Sequence, residues 1–328
     1  MEHAAVHAGH LAFERHGALG RICLTRPDAL NALTHDMVRA MRARLDEWAA
    51  DDAVASVCIT GEGRAFSAGG DIRAIYEKGR AGEPFDEFFA DEYALNIQIK
   101  GFPKPYVALI DGIAMGGGVG VSYHGSHVVV GENARFAMPE CGIGFFPDVG
   151  GTFLLGHLPE PWGPALGLSG ARLGAAEQVA LGLATHALRS EDWPRLMTSM
   201  ADGADPDEAL GQMEQDDADP AGTSDVEPPP GWNQLRHQSP TSFRVAERQI
   251  AMGATRSFEQ CMGIEARIVH RMLRGHDFYE GIRAAVIDKA DTRAWSPATL
   301  YEVSEADIER HFDPVESGPL ASLSALAD

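Results

Sequence analysis

Two carboxylates, Glu140 and Asp148, lie among apolar residues and glycines in the stretch FAMPECGIGFFPDVGG (136–151). Such surroundings predict at least partial burial, and a buried carboxylate without a partner is costly. Each group is therefore either paired or used in chemistry, as a base, an acid or a nucleophile. A plainer interpretation stays open for each, because a Glu after Pro is often a turn or cap residue.

A cluster of three glycines, Gly116 to Gly118, precedes these carboxylates and follows the apolar run 106–110 and Asp111-Gly112. This order predicts a strand that leads into a helix N-terminus, whose unpaired N–H groups suit an anion or a developing oxyanion. The loop 65–71 (AFSAGGD) has the same character, and we expect Asp71 to cap the helix after it. Glycine clusters also serve tight turns and close packing, so this alternative remains.

Other motifs fail on residue identity or spacing. GVSYH (120–124) lacks the final glycine of a serine-esterase elbow, and GGGVG does not fit the dinucleotide-binding pattern. His124 and His127 are three apart, but no third ligand stands nearby, so we predict no metal site. For His276 we favour a cap or inter-helix hydrogen bond over a role as a base.

Composition limits the class of protein and its partners. The 328 residues carry a formal charge of −21, which argues against nucleic acid and anionic membranes as partners. No apolar run reaches the ~20 residues that span a bilayer, so we predict no membrane partner. The four cysteines are far apart and form no C-x-x-C pair. Because they read as small apolar residues in a reducing compartment, we predict a cytoplasmic protein.

Hydrophobic periodicity and end signals predict alternating strands and helices. We expect Thr34 to begin a helix, and a helix starting at Thr152 to present its N-terminus to Asp148. From Asp202 to Glu227 there are ten carboxylates and no Lys or Arg, which predicts a mobile acidic connection. The predicted elements are a hairpin over 11–25, a strand over 56–60, a strand over 127–131, and helices over 35–50, 84–99, 117–126, 152–158, 242–252, 257–273 and 278–287.

Several of these segments together resemble the crotonase (enoyl-CoA hydratase/isomerase) superfamily, and within it the branch that hydrolyses 3-hydroxyisobutyryl-CoA. The likeness runs from about Leu24 to about Phe312, and the context of Asp148 is specific to the hydrolase branch. The motifs that carry it are RAFSAGGDI (64–72), KPYVALIDGIAMGGGVGVS (104–122), FAMPECGIGFFPDVGG (136–151), SPTS (239–242) and RGHDFYEGIRAAVIDK (274–289).

The resemblance implies an α/β fold: a crotonase-like ββα spiral with two roughly perpendicular sheets and a helical C-terminal region. We accordingly expect a spiral core over 1–200, an acidic Pro-rich connection over 201–231 and a helical region over 232–328. Family members commonly form trimers or dimers of trimers, so a homo-oligomer, trimer or hexamer, is expected.

The resemblance also assigns site residues. It implies that the backbone amides of Gly70 and Gly117 form an oxyanion hole around the thioester carbonyl. It further implies that Glu92 helps line the substrate pocket, with Ala68 and Gly116 as further substrate-binding positions. Glu140 and Asp148 are then the catalytic carboxylates, with their roles open: Glu140 is a base or a nucleophile, and Asp148 orients a hydroxyl or water or assists the leaving group.

The resemblance finally implies the reaction. Hydratases of the superfamily carry a carboxylate where this chain has Gly120, which favours hydrolysis of a short β-hydroxyacyl-CoA, 3-hydroxyisobutyryl-CoA above others, in valine catabolism. The alternatives are an enoyl-CoA hydratase or isomerase and a non-catalytic CoA-ester-binding protein. No cofactor is expected, because coenzyme A is part of the substrate. Candidate contacts for its phosphates, among which the sequence does not choose, are Arg64, Arg73, Lys100, Lys104, Arg283 and Lys289.

Overall fold

The computed structural model describes residues 3–7, 9–83, 85–214, 227–229, 231–233 and 237–328. The chain divides into two compact units. Unit 1 contains residues 1–70, 98–136 and 173–226, and unit 2 contains residues 71–97, 137–172 and 227–328. The sequence analysis predicts three consecutive regions with boundaries at residues 200 and 231, whereas each compact unit combines segments that are separate in the sequence. The division into three regions therefore stays a prediction.

Strands lie mainly in unit 1. Seven form one sheet in the order β1-β2-β3-β4-β6-β8-β10, and three form a smaller sheet in the order β5-β7-β9. From β3 to β10 the neighbours in the larger sheet are parallel, whereas β1, β2 and β3 are antiparallel. The strands are β1 (His3–His7), β2 (Leu11–His16), β3 (Leu19–Leu24), β4 (Ser56–Gly61), β5 (Ala65–Ser67), β6 (Tyr106–Ile110), β7 (Ile113–Met115), β8 (His127–Val130), β9 (Arg135–Ala137) and β10 (His186–Ala187).

Helices occur in both units, and residues 237–328 of the described chain form helices and no strand. A 3-10 turn covers Glu140–Ile143, and a π-helical turn, Arg283–Ile287, follows α12. The helices are α1 (His35–Ala50), α2 (Ile72–Arg80), α3 (Asp86–Lys100), α4 (Gly117–Gly120), α5 (Gly151–Gly156), α6 (Trp162–Ser169), α7 (Ala175–Ala180), α8 (Trp193–Ala201), α9 (Pro206–Glu214), α10 (Pro240–Gly253), α11 (Phe258–Met272), α12 (His276–Ile282), α13 (Glu305–Arg310) and α14 (Ala321–Ser324).

Local sequence signals predict α1 correctly. The Thr34 hydroxyl accepts a hydrogen bond from the Met37 N–H at 3.3 Å, as an N-cap does. The stripe of Met and Trp side chains on this helix is buried in the core. The hairpin β2–β3, the strand β4 and the helices α10 and α11 also agree with the prediction to within two residues.

The predicted helix over 117–126 is wrong in extent, because α4 ends at Gly120 and only turns follow. Three of its four residues are glycine, which is a poor helix former. The Ser122 hydroxyl also donates to the Gly118 carbonyl at 2.6 Å, so a side chain occupies the carbonyl that a continuing helix would use.

The predicted mobile acidic connection is wrong for its first part. Residues 206–214 form α9, and Leu210 and Met213 are buried in one apolar cluster with residues of α8 and the larger sheet. Asp207 also lies 2.9 Å from the Nε2 atom of His127. Apolar side chains at helical spacing therefore outweigh the acidic composition here. The remainder of the connection, 215–226 and Pro230, lies outside the described residues.

Replacing Leu210 with Ala tests whether α9 belongs to the core. The side chain is 1% exposed, so its removal leaves a cavity, and we expect the free energy of unfolding to fall by about 2–5 kcal/mol. Urea unfolding followed by tryptophan fluorescence measures the change. The matched control is Glu208→Ala at an exposed position of the same helix, for which we expect a change within about 0.5 kcal/mol. Equal effects of the two substitutions would contradict a core role for α9.

Candidate active site

Two glycine loops, Ala68–Gly70 and Gly116–Gly118, leave the same edge of the smaller sheet. They follow β5 and β7, which pair in parallel, so the two loops start beside each other. Their backbones approach closely: a Cβ atom added at Gly118 would lie 2.4 Å from the Ser67 carbonyl oxygen. Glycine is needed there because any side chain would collide with that carbonyl.

The backbone N–H groups of Gly70 and Gly117 are the predicted oxyanion donors. In the turns, loops and caps of the described chain, neither donates to a backbone carbonyl, whereas the Ala68 N–H donates to the Leu30 carbonyl at 2.9 Å. Gly116, at φ 49° and ψ −126°, has a backbone conformation that side chains disfavour. The loops thus hold two N–H groups free of backbone partners, and their catalytic use stays a prediction.

The three predicted carboxylates lie together in unit 2. Glu92 on α3, Glu140 at the start of the 3-10 turn and Asp148 just before α5 are 2%, 5% and 4% exposed. The Tyr93 hydroxyl, next to Glu92 on α3, donates to the Oδ2 atom of Asp148 at 3.0 Å. Burial of all three groups agrees with the expectation drawn from their apolar surroundings.

A fourth carboxyl group, Glu265 of α11, was not predicted. It is fully buried, and its two oxygens accept hydrogen bonds from the N–H groups of Gly150 at 2.8 Å and Thr152 at 2.9 Å. These are amides at the N-terminus of α5. The prediction that this helix end stabilises Asp148 is therefore wrong, because Glu265 takes those donors. We name the following four side chains the carboxyl cluster: Glu92, Glu140, Asp148 and Glu265.

Burial raises the pKa of every member of the carboxyl cluster. The pKa of Asp148 rises to about 7 through desolvation, which the hydrogen bond from Tyr93 partly offsets. The pKa of Glu265 rises to about 8 for the same reason. Desolvation and, second, the charge of Asp148 raise the pKa values of Glu92 and Glu140 well above the ordinary range. Carboxyl groups tuned in this way can supply both an acid and a base near neutral pH.

Polar atoms of this region lack protein partners. Among the described residues, one oxygen of Glu92, one oxygen of Glu140 and both polar atoms of the Asn96 amide are buried without a hydrogen bond. No Arg or Lys of the described residues is a main cause of the pKa shift of any member of the carboxyl cluster. Since an unsatisfied buried polar atom costs about 1–3 kcal/mol, the region favours a ligand or water that supplies the missing partners.

Aromatic rings pack together in unit 2, which also contains the carboxyl cluster. Phe145 follows Glu140 and precedes Asp148 in the sequence. Its ring centroid lies 5.8 Å from that of Phe89 on α3 and 5.4 Å from that of Phe278 on α12. This packing adds to the apolar interior of the unit, and an apolar interior raises the pKa of a buried carboxyl group.

The helical spacing of apolar residues in the sequence indicates two buried polar residues that the sequence analysis does not predict, Glu265 and Asn96. Glu265 follows the buried Cys261 by four positions and precedes the buried Ile268 by three, so it lies on an apolar face of α11. Asn96 follows Glu92 by four positions on α3 and shares its face. A polar residue at a core position of an amphipathic helix is the pattern that would have indicated both.

Three of the remaining candidates have structural roles. Asp71 caps α2 by accepting a hydrogen bond from the Ala74 N–H at 3.2 Å, as predicted. The Nε2 atom of His276 lies 2.8 Å from the Ala294 carbonyl oxygen, in agreement with the hydrogen-bonding interpretation. Of the candidate phosphate contacts, Lys104 donates to backbone carbonyls at 2.6 and 2.7 Å.

The chain matches the family model described as enoyl-CoA hydratase/isomerase over residues 19–229 and 231–312. Two similar curated relatives are both named 3-hydroxyisobutyryl-CoA hydrolase, mitochondrial. The relative from Danio rerio is 39% identical over 94% of this chain and 90% of its own length. The relative from Homo sapiens is 35% identical over 95% of this chain and 91% of its own length.

Two solved structures are also similar. A carnitinyl-CoA dehydratase from Mycobacterium thermoresistibile has a TM-score of 0.84 and 36% identity, covering 94% of this chain and 97% of that one. An enoyl-CoA hydratase from Rhodobacter sphaeroides has a TM-score of 0.83 and 35% identity, covering 95% and 99%. These similarities, with the mixed sheets and helices described above, confirm the predicted α/β crotonase-like fold.

The comparison contradicts the prediction of a cytoplasmic protein, because the curated relatives are named as mitochondrial proteins. The four free, buried cysteines indicate a reducing compartment, and that observation does not single out the cytoplasm. Within the described residues, no helix combines the length and the apolar character needed to cross a bilayer.

The matched segments include both glycine loops and the whole carboxyl cluster, and the family model together with the relatives covers more than nine-tenths of the chain. The chain belongs to the enoyl-CoA hydratase/isomerase family, the crotonase superfamily that its motifs indicated.

Proposed function

We propose that this protein is an acyl-CoA thioester hydrolase that converts 3-hydroxyisobutyryl-CoA and water to 3-hydroxyisobutyrate and coenzyme A, a step of valine catabolism. The observation that carries the proposal is the buried carboxyl cluster, in which Glu140 and Asp148 have raised pKa values and, among the described residues, no Lys or Arg as a main cause of the shift. The names of the curated relatives, which are 35–39% identical, support the same reaction.

The proposed mechanism begins with the thioester carbonyl, whose oxygen would accept hydrogen bonds from the amides of Gly70 and Gly117. Glu140 then removes a proton from water as the water oxygen attacks the carbonyl carbon. Alternatively, the Glu140 carboxylate attacks directly and forms a mixed anhydride that water cleaves. In each route, amide donors aimed at the oxyanion are worth on the order of 10²–10³ in rate apiece.

Collapse of the tetrahedral intermediate breaks the carbon–sulfur bond and releases the thiolate of coenzyme A. Asp148, with a pKa near 7, is suited to donate the proton that this sulfur takes up, or to orient the β-hydroxyl group. Glu92 and the backbone at Ala68 and Gly116 would line the acyl pocket. The proposal requires no cofactor, because coenzyme A is part of the substrate. From the likeness to the family we also propose that the protein forms a homotrimer or hexamer.

The second candidate is an enoyl-CoA hydratase or isomerase, favoured by the names of the two similar solved structures. Hydration needs two acid–base groups over the double bond, and the family position of one of them is Gly120. That residue is a buried glycine of α4 and has no side chain for acid–base work. A hydratase would therefore have to use another member of the carboxyl cluster with Glu140.

A non-catalytic CoA-ester-binding protein is the candidate from another class. Four buried carboxyl groups, none of which has a Lys or Arg of the described chain as a main cause of its pKa shift, cost stability in the folded state. A binding protein that only holds an anionic ligand gains nothing from such a cluster, so we rank this candidate below the two enzymes. The absence of thiol release together with tight binding of a CoA ester would support it.

Free-thiol release separates these candidates. We expect rapid release from 3-hydroxyisobutyryl-CoA and slow release from acetyl-CoA and crotonyl-CoA, because the β-hydroxyl group is part of the recognised substrate. Thiol release is followed with a chromogenic disulfide reagent, and hydration is followed by loss of the enoyl absorbance of crotonyl-CoA. Loss of that absorbance without thiol release would support the hydratase and contradict the hydrolase.

Replacing Glu140 with Gln should lower kcat by at least about 100-fold, the typical contribution of a general base. Gln keeps the size of the side chain, so we expect KM to stay within about threefold of the wild-type value. The control is Glu316→Gln at an exposed position, which should leave both constants unchanged. Retained turnover in the Glu140 variant would exclude it as base and as nucleophile.

The pH dependence of kcat/KM should report the raised pKa values. A base must be ionised, and desolvation raises the pKa of Glu140 above its ordinary range. Activity should therefore fall on the acid side at pH values where an unperturbed carboxylate would still be ionised. Initial rates between pH 5 and 9 measure this limb. A profile that stays flat down to pH 5 would mean that the base is not a buried carboxyl group.

A further inference from the structure

The turn that carries Asp148 has an unusual backbone. Val149 and Gly150, the next two residues, have φ angles of 52° and 87°, so both lie in the left-handed region. For a β-branched residue such as Val149 this conformation is strained, and it persists only where the surroundings hold it. Asp148 therefore depends on contacts that keep this turn in place.

Two buried side chains from distant helices hold the turn on either side of Asp148. Before it, the Nε2 atom of Gln249 on α10 donates to the Pro147 carbonyl at 2.6 Å. After it, Glu265 on α11 accepts from the N–H groups of Gly150 and Thr152 at 2.8 and 2.9 Å. Gln249 and Glu265 are both fully buried. The backbone around Asp148 is thus tied at three points.

The contacts of Glu265 distinguish it from an ordinary structural residue. Each of its two carboxyl oxygens accepts a hydrogen bond from a different backbone N–H group, and among the described residues no Lys or Arg is a main cause of its pKa shift. A neutral Gln of the same shape has only one acceptor oxygen and could satisfy only one of the two amides. The carboxyl group is therefore matched to both donors at the start of α5.

Occupation of these amides also affects Asp148. Gly150 and Thr152 follow Asp148 by two and four positions, so these bonds fix the backbone on its C-terminal side. In this arrangement the Asp148 side chain accepts a hydrogen bond from the Tyr93 hydroxyl at 3.0 Å.

We propose that Glu265 is a positioning residue for the hydrolysis: it holds the Pro147–Thr152 turn so that Asp148 faces Tyr93. The catalytic part of this inference rests on the proposed function, and the structural part rests on the hydrogen bonds described above. The titratable groups that face Asp148 are Glu92, Tyr93, Glu140 and Glu265, and all of them are buried. Loss of Glu265 should therefore impair the step that uses Asp148 and leave substrate affinity nearly unchanged.

A double-mutant cycle tests this inference with four proteins: wild type, Glu265→Gln, Asp148→Asn and the double variant. In the wild-type background we expect Glu265→Gln to lower kcat by about 10- to 100-fold with KM within about threefold, the pattern of a lost transition-state interaction. In the Asp148→Asn background the same substitution should change kcat by less than about twofold, because residues that act through one another are not additive. An equal loss in both backgrounds, or a loss confined to KM, would overturn the inference.

Controls separate positioning from a general loss of stability. Glu259→Gln is the same substitution at an exposed position of α11 and should have no effect. All rates are measured well below the unfolding temperature of each variant. If Glu265→Gln does not fold, Gln249→Met removes the hydrogen bond to Pro147 on the other side of the turn and should give the same dependence on Asp148. A Gln249→Met loss that is independent of Asp148 would then count against the inference.

Urea midpoints of the same four proteins keep this inference separate from the proposed function. If the wild type releases no thiol from any thioester, the proposed hydrolase is wrong. If Asp148→Asn is inactive, the kinetic cycle gives no value. In either case the midpoints decide: we expect the two substitutions to be non-additive, because both act on one turn. Additive midpoint shifts would overturn the positioning role.

Discussion

Four carboxyl groups are buried in one compact unit, and in the part of the chain that the structure describes no Lys or Arg is a main cause of their pKa shifts. Removing a charge from water is so costly that such groups must keep protons, accept hydrogen bonds or do both. Here the Tyr93 hydroxyl and the amides of Gly150 and Thr152 supply the hydrogen bonds. These bonds join α3 and α11 to the turn that precedes α5.

The donors come from parts of the chain that are far apart in sequence. The bond from Tyr93 to Asp148 spans 55 positions, and the bond from Gly150 to Glu265 spans 115. Helices α3 and α11 therefore meet the Asp148 turn only after the chain has folded. Close backbone packing keeps the supporting elements in contact, since a Cβ atom at Gly253 of α10 would lie 1.9 Å from the Thr152 carbonyl oxygen.

The family comparison shows one scaffold with several named activities. The similar solved structures are titled a dehydratase and a hydratase, whereas the similar curated relatives are named hydrolases. A fold shared at this level does not fix the reaction, because function depends on the residues of the site. In this chain the informative positions are Gly120, which cannot act as an acid or base, and Asp148, which can.

The sequence by itself determined the family, the α/β fold class and most local elements. The N-cap Thr34, the alternating strands and the capped C-terminal helices are set by neighbouring residues, so short-range reasoning finds them. It also indicated burial of Glu140 and Asp148, because their immediate neighbours are apolar. Where composition and helical spacing disagreed, at Leu210 and Met213 in α9, the apolar spacing prevailed.

Only the tertiary structure decided which groups those carboxylates meet. The sequence assigned the N-terminus of α5 to Asp148, since that helix follows it directly. In the folded chain those amides donate hydrogen bonds to Glu265, and Asp148 accepts a hydrogen bond from the Tyr93 hydroxyl. The reason is physical: hydrogen-bond donors are few in an apolar interior, and competition for them is settled by the distances that long-range packing creates.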